Sequence, residues 1–204
     1  MLETRIAKTI SYLFHPLLMP TYGFAFIFFS DNYISAFISE ILKYIILGVT
    51  FLFTFILPTI NALILLKMGR IKSIEMESNE ERIIPYSSTA LYFFALLYLF
   101  HNAEFPSIFK IVILGAALSI LLTFIVNFKW KISAHTVGIG GIAGVALGLM
   151  YRIQIDLFMP LLLILFVSGL VATARLKLKA HTPSQVYTGF LAGFIIELGL
   201  MLFY

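Results

Sequence analysis

The stretch that decides the fold reads IFKIVILGAALSILLTFIVNF over residues 108–128, and Lys110 is its only charged residue. A helix needs about 20 predominantly apolar residues to cross the hydrocarbon core of a bilayer. Only helices and closed barrels satisfy their backbone hydrogen bonds in that core, and this run is too long and does not alternate as a barrel strand does. The segment is therefore predicted to be a transmembrane helix.

Six further apolar runs resemble this one, although the first contains Pro16 and Pro20 and is expected to be kinked or re-entrant. The whole chain is 61% hydrophobic and 12% charged, whereas a soluble domain is about 45–50% apolar and about 25% charged. We therefore predict an all-α, polytopic transmembrane bundle of six to seven spans, formed by residues 1–204 as a single domain. The predicted spans are residues 10–29, 41–66, 86–100, 108–128, 134–150, 157–174 and 184–203.

The composition excludes several classes of function. The chain has no cysteine, which removes disulfides, thiolate nucleophiles and cysteine-based metal sites. Its net charge of +4 is modest, and its basic residues are not interleaved with aromatic residues on a solvent-exposed face, so no nucleic acid partner is expected. We predict neither a metal nor a cofactor, and we expect an integral, multi-pass protein of the bacterial inner membrane.

The basic residues are unevenly distributed over the predicted connections. With seven spans, the N-terminal tail and the loops at residues 67–85, 129–133 and 175–183 share one side of the membrane. That side carries all the basic residues except Lys43, Lys110 and Arg152. The positive-inside rule would make it cytoplasmic. A phosphate-binding site would also collect Arg and Lys, so function could imitate this topology signal.

Two histidines lie on this basic side, each beside the start of a span. His135 ends the sequence KISAH at residues 131–135, and His181 lies in RLKLKAHTPSQ at residues 175–185. An Arg side chain binds phosphate oxygens in a bidentate manner, and a helix N-terminus offers free N–H groups to an anion. One histidine can attack phosphorus while another protonates the leaving oxygen. The pattern therefore indicates phosphoryl chemistry at the membrane surface.

These residues resemble the type 2 phosphatidic acid phosphatase superfamily. Arg175 and His181, separated by five residues, are similar to the third motif of that family, and Ser133 to His135 are similar to its second motif, Pro-Ser-Gly-His. Arg82 to Pro85 looks like a loosened form of its first motif, which is Lys, six residues and Arg-Pro. The motifs occur in the family order over about residues 70–190.

The resemblance implies a role for each matching residue. His181 would be the nucleophile that forms a phosphohistidine, and His135 would be the general acid for the leaving group. Gln185 stands where the family has an Asp that fixes the histidine tautomer, and its carbonyl can accept the same hydrogen bond without supplying a charge. The residues implied to bind the phosphoryl group are Arg175, Arg82, Lys72 and Ser133.

The resemblance implies a hydrolase for phosphoric monoesters or anhydrides, acting on a membrane lipid phosphate or a polyprenyl (pyro)phosphate. Gln185 keeps a second hypothesis open, in which the protein binds or translocates an anionic lipid without hydrolysis. A third hypothesis is a small transporter that uses Glu197, an ionisable residue inside the last span. His15 and His101 are interpreted as structural or interfacial.

Overall fold

The computed structural model describes residues 2–30, 33–76, 78–103 and 105–203 of the 204-residue chain. The described part is 82% helical and has no strand. Seven of its helical segments are long and apolar enough to cross a membrane. The predicted all-α polytopic transmembrane bundle is therefore confirmed, and the protein is an integral, multi-pass membrane protein.

The first span consists of two helices with a break between them. α1 covers Leu2–Leu13 and α2 covers Met19–Phe29, and a short 3-10 turn covers Pro16–Leu18. The break precedes Pro16 because proline disfavours helical geometry in the residue before it. His15 has extended backbone there, and its Nδ1 accepts a hydrogen bond from the Leu17 N–H at 3.3 Å. The helix begins eight residues before the predicted span.

The remaining chain forms a short helix and six spans. The second span contains a π-helical segment at Leu52–Ile56, which ends two residues before Pro58. The missing N–H of this proline interrupts the regular ladder of backbone bonds. The other helices are α3 (Tyr33–Ala36), α4 (Glu40–Phe51), α5 (Leu57–Lys67), α6 (Ile83–Asn102), α7 (Ser107–Asn127), α8 (Ala134–Ile153), α9 (Phe158–Lys177) and α10 (Pro183–Phe203).

The centre of the bundle is the α8–α10 pair. A side chain at Gly140 would overlap the Phe190 carbonyl, and one at Gly193 would overlap the Val137 carbonyl. The two backbones therefore touch, as they do in other membrane helix pairs with small residues at the interface. α8 is the most buried span, while α9 exposes large apolar residues such as Leu163 and Phe166 on its outer surface.

At one end of the bundle, two hydrogen bonds join the loop before α8 to the first turn of α10 and to the loop before it. The Ser133 N–H donates to the Gln185 carbonyl at 3.3 Å, and His181 Nδ1 lies 3.1 Å from the Lys131 carbonyl. These contacts fix the two histidine-bearing segments side by side.

Candidate active site

A cavity of about 1090 Å³ opens among these loops and extends into the bundle. It is bordered by residues from the broken first span, α5, the 72–76 loop, the start of α6, α7, α8, the end of α9, the loop before α10 and α10 itself. Five of the residues predicted from the sequence line this cavity together: His135, His181, Arg175, Arg82 and Lys72.

His181 is held by contacts made through Nδ1. This atom lies 3.1 Å from the Lys131 carbonyl oxygen and 3.3 Å from Gln185 Oε1. Both partners accept hydrogen bonds, so Nδ1 carries the proton and Nε2 keeps a free lone pair. Burial, and then the positive charges of Arg175 and Arg82, lower the pKa of His181 to about 4. The imidazole is therefore neutral near pH 7, which is the state a nucleophile needs.

Gln185 has a second structural role. Its Oε1 accepts a hydrogen bond from the Thr182 N–H at 3.1 Å, while Thr182 Oγ1 accepts one from the Gln185 N–H at 3.5 Å. This reciprocal pair is a capping box at the start of α10, where Pro183 is the first helical residue. One amide oxygen therefore both closes the helix end and fixes the tautomer of His181. Gln185 itself does not line the cavity.

His135 lies in the first turn of α8 and is held by the first span. Its Nε2 is 3.1 Å from the Ser11 carbonyl, which can only accept a hydrogen bond, so Nε2 carries the proton and Nδ1 keeps the lone pair. The ring of His15 packs edge-on against it, with ring centroids 5.6 Å apart. The broken first span is therefore part of the wall around His135.

Arg175 lies in the last turn of α9 and lines the cavity. Its terminal nitrogen donates to Ser11 Oγ at 3.2 Å, whereas its Nε is buried and has no hydrogen-bond partner in the described part of the chain. Arg82 is also buried, and its Nε donates to the Met76 carbonyl at 2.8 Å. Among the described residues, neither guanidinium forms an ion pair with a carboxylate. Their charges are therefore available to an anion in the cavity.

The other two predicted binding residues differ in their placement. Lys72 lines the cavity with an exposed side chain, and its N–H donates to Glu81 Oε1 at 3.2 Å. Ser133 is fully buried and does not line the cavity, and its Oγ has no partner in the described residues. Its backbone instead joins the two loops through Gln185. The direct phosphate contact that the resemblance implies for Ser133 does not agree with this position.

Sequence reasoning missed the contribution of the first span. Ser11 and His15 both line the cavity, and His15 was interpreted as structural or interfacial. Their contacts with Arg175 and His135 join residues more than 100 positions apart, which no local motif encodes. The break before Pro16 was the available signal, because it leaves polar backbone groups inside the bundle.

Within the described residues no group of three or more His, Cys, Asp or Glu side chains could hold a metal ion.

The lining of the cavity is strongly cationic. The basic residues that line the cavity are Lys8, Lys72, Arg82, Lys131, Arg175 and Lys179, and the acidic ones are Glu75 and Glu197.

No family model, no curated protein and no solved structure matches this chain.

Proposed function

We propose that this protein hydrolyses a lipid or isoprenoid (pyro)phosphate through a phosphohistidine at His181, as its resemblance to the type 2 phosphatidic acid phosphatases implies. The observation that carries the proposal is the shared cavity of His135, His181 and two arginines without carboxylate partners. A buried Arg N–H without a hydrogen-bond partner destabilises the protein unless an acceptor binds to it. Phosphate oxygens are suitable acceptors, because two of them can bind one planar guanidinium group at the same time.

The geometry supports a double-displacement reaction. The lone pair of His181 Nε2 attacks phosphorus, and the bond between phosphorus and the lipid oxygen breaks. Arg175 and Arg82 stabilise the charge on the phosphoryl oxygens. His135 takes up a proton from solvent at Nδ1 as the anionic phosphate binds, and it then donates this proton to the leaving oxygen. Neutral His135 next accepts a proton from the water that cleaves the phosphohistidine, releasing inorganic phosphate.

The position of the site favours a lipid substrate. The cationic groups cluster at the loop end of the cavity, while residues such as Val112, Ile142 and Val145 line it within the bundle. A phosphate at the mouth would therefore continue into a hydrophobic tail between the helices. In a bacterial cell we place the protein in the inner membrane, because the outer membrane holds β-barrels rather than helical bundles.

Gln185 supports a second candidate function, the binding or translocation of an anionic lipid without hydrolysis. Its amide holds His181 in place but adds no negative charge to stabilise an imidazolium or a phosphohistidine. This candidate predicts that lipid phosphates bind and that no phosphate is released.

Trapping of the phosphoryl enzyme tests the two candidates. Purified protein in lipid nanodiscs is mixed with phosphatidic acid or a polyprenyl phosphate labelled with ³²P, quenched in alkali and analysed for phosphohistidine. We expect label on the wild type and none on His181→Gln. His101→Gln is the matched control, because His101 is exposed at the other end of α6, roughly 28 Å from Arg82 at 1.5 Å per residue. Equal labelling of wild type and His181→Gln would overturn the mechanism, and binding without any label or release would select the second candidate.

A further inference from the structure

A buried acid lies on the wall of the same cavity. Glu197, in the last span, is 4% exposed, and its Oε2 has no hydrogen-bond partner in the described part of the chain. A carboxyl group inside a membrane bundle is expensive and is typically associated with function. The reaction proposed for His181 does not use it.

Three glycines lie around the Glu197 side chain, and one of them, Gly115, makes room for its carboxyl group. A Cβ on Gly115 of α7 would overlap the Glu197 carboxyl, a Cβ on Gly141 of α8 would lie 3.4 Å from its Cγ, and a Cβ on Gly144 would lie 3.0 Å from its Cβ. Any side chain at Gly115 would displace the carboxyl group. The bundle therefore accommodates an acid at this position, although an apolar residue would be easier to bury.

Ser119 supplies a second unpartnered group. It lies on α7 one helical turn after Gly115, on the same face, and it lines the cavity. Its Oγ is buried and, like Glu197 Oε2, has no partner among the described residues. Two orphaned polar atoms on one cavity wall indicate a ligand group that would pair with them.

The chemistry of these two groups selects a hydroxyl as their ligand. A hydroxyl donates and accepts, so it pairs with a carboxyl group in either protonation state and with a serine hydroxyl. An ammonium group or a metal ion would have to pass the cationic mouth formed by Arg175, Arg82 and Lys131. A plain polyprenyl chain has no group that could form these hydrogen bonds.

The depth of the acid sets the position of that hydroxyl on the ligand. Gly141 and Gly144 follow His135 by six and nine residues on α8, which corresponds to roughly 9–14 Å along the helix at 1.5 Å per residue. If the phosphate lies beside His135, the hydroxyl belongs on the hydrophobic chain at about this distance from phosphorus. The 3-hydroxyl of an acyl chain esterified to glycerol phosphate lies in this range when the molecule is extended.

We infer that Glu197 and Ser119 form an inner subsite that binds a hydroxyl group on the hydrophobic chain of the lipid phosphate. This inference rests on the proposed function, because it assumes a phosphate at the cavity mouth. It makes Glu197 a specificity-determining residue and lipid phosphates with a hydroxylated acyl chain the preferred ligands.

Two monoacylglycerol phosphates that differ only in a 3-hydroxyl on the acyl chain test the subsite. Their dissociation constants and rates of phosphate release are measured with the wild type, Glu197→Leu and Ser119→Ala. We expect the wild type to bind the hydroxylated lipid about tenfold more tightly, which corresponds to about 1.4 kcal/mol of hydrogen bonding. Glu197→Leu should remove this preference, so that the hydroxylated and the plain lipid bind equally tightly, and Ser119→Ala should reduce it.

Two glycine variants test the subsite independently, in case Glu197→Leu fails to fold. Gly115→Ala should displace the carboxyl group and reduce the preference, whereas Gly199→Ala, where a Cβ meets nothing within 4 Å, should preserve it. Equal affinities of the wild type for the two lipids would overturn the subsite, as would equal losses for both lipids in Glu197→Leu. If the plain lipid still binds and is hydrolysed, the proposed function survives that result. If neither lipid binds, both proposals fail.

Discussion

The two histidines of the cavity are held in contrasting ways. His181 is fixed by neighbours in its own loop and in the adjacent one, through Gln185 and the Lys131 carbonyl. His135 is fixed by the Ser11 carbonyl, 124 residues away in the broken first span. His181 keeps its Nε2 lone pair and His135 keeps its Nδ1 lone pair. The contrast shows that the acceptor next to a histidine decides which of its ring nitrogens keeps a lone pair.

The largest expected difference between the two histidines is their response to the leaving group. His181→Ala removes the proposed nucleophile and should lower phosphate release by about 10⁴-fold or more for every substrate. His135→Ala should lower it by about 10²–10⁴-fold for a lipid alcohol, which needs a proton to leave. An aryl ester of the lipid phosphate releases a phenolate, which can leave without a proton. With this ester the His135→Ala variant should therefore regain most of its rate, whereas the His181→Ala variant should not. Turnover of both esters by both variants gives the answer, and equal losses for the two esters in His135→Ala would falsify its acid role.

A smaller effect is expected at Arg175, which contacts both the first span and the cavity. Arg175→Lys keeps the charge but loses the bidentate fork and the buried Nε donor. We expect lipid phosphate to bind roughly ten- to a hundredfold more weakly, by the strength of a charge-assisted hydrogen bond. Titration in nanodiscs measures the change. Lys177→Ala is the matched control, because Lys177 is exposed and pairs with Glu3 instead of lining the cavity.

The smallest effect concerns the partner of His181. The low pKa of His181, about 4, means that its neutral form is lost only as the pH falls through about 4. Gln185→Glu keeps the capping geometry and places a carboxylate beside Nδ1, which favours the imidazolium form and raises this pKa. The acid limb of kcat/KM should therefore move to higher pH by about one unit or more. A profile from pH 3.5 to 8 tests this, and an unmoved limb would assign it to a group other than His181.

The sequence predicted the architecture well because it follows from local composition. Long apolar runs require helices in lipid, and all seven predicted spans are present. The boundaries were less accurate where polar residues continue a helix. The helix of the first span begins at Leu2, and the third span, predicted for residues 86–100, belongs to a helix over Ile83–Asn102.

The candidate site was only partly visible in the sequence. Arg175 and His181 stand close together in a recognisable pattern, and the structure places both at one cavity with His135 and Arg82. Ser11 could not be found in this way, because its contact with Arg175 spans 164 residues and depends on tertiary packing. The dual role of Gln185 was hidden by the comparison with an Asp, although Thr182 and Gln185 have the spacing of a capping box.

The backbone contact between α8 and α10 has a consequence for any motion of this bundle. Gly140 and Gly193 leave no space into which either helix could slide, and the loops before both helices are hydrogen-bonded to each other. Any conformational change that let a lipid enter or leave would therefore have to keep α8 and α10 together as one rigid unit. The displacement would have to come from another element, and a movement of the first span would break the hydrogen bonds that Ser11 forms with His135 and Arg175.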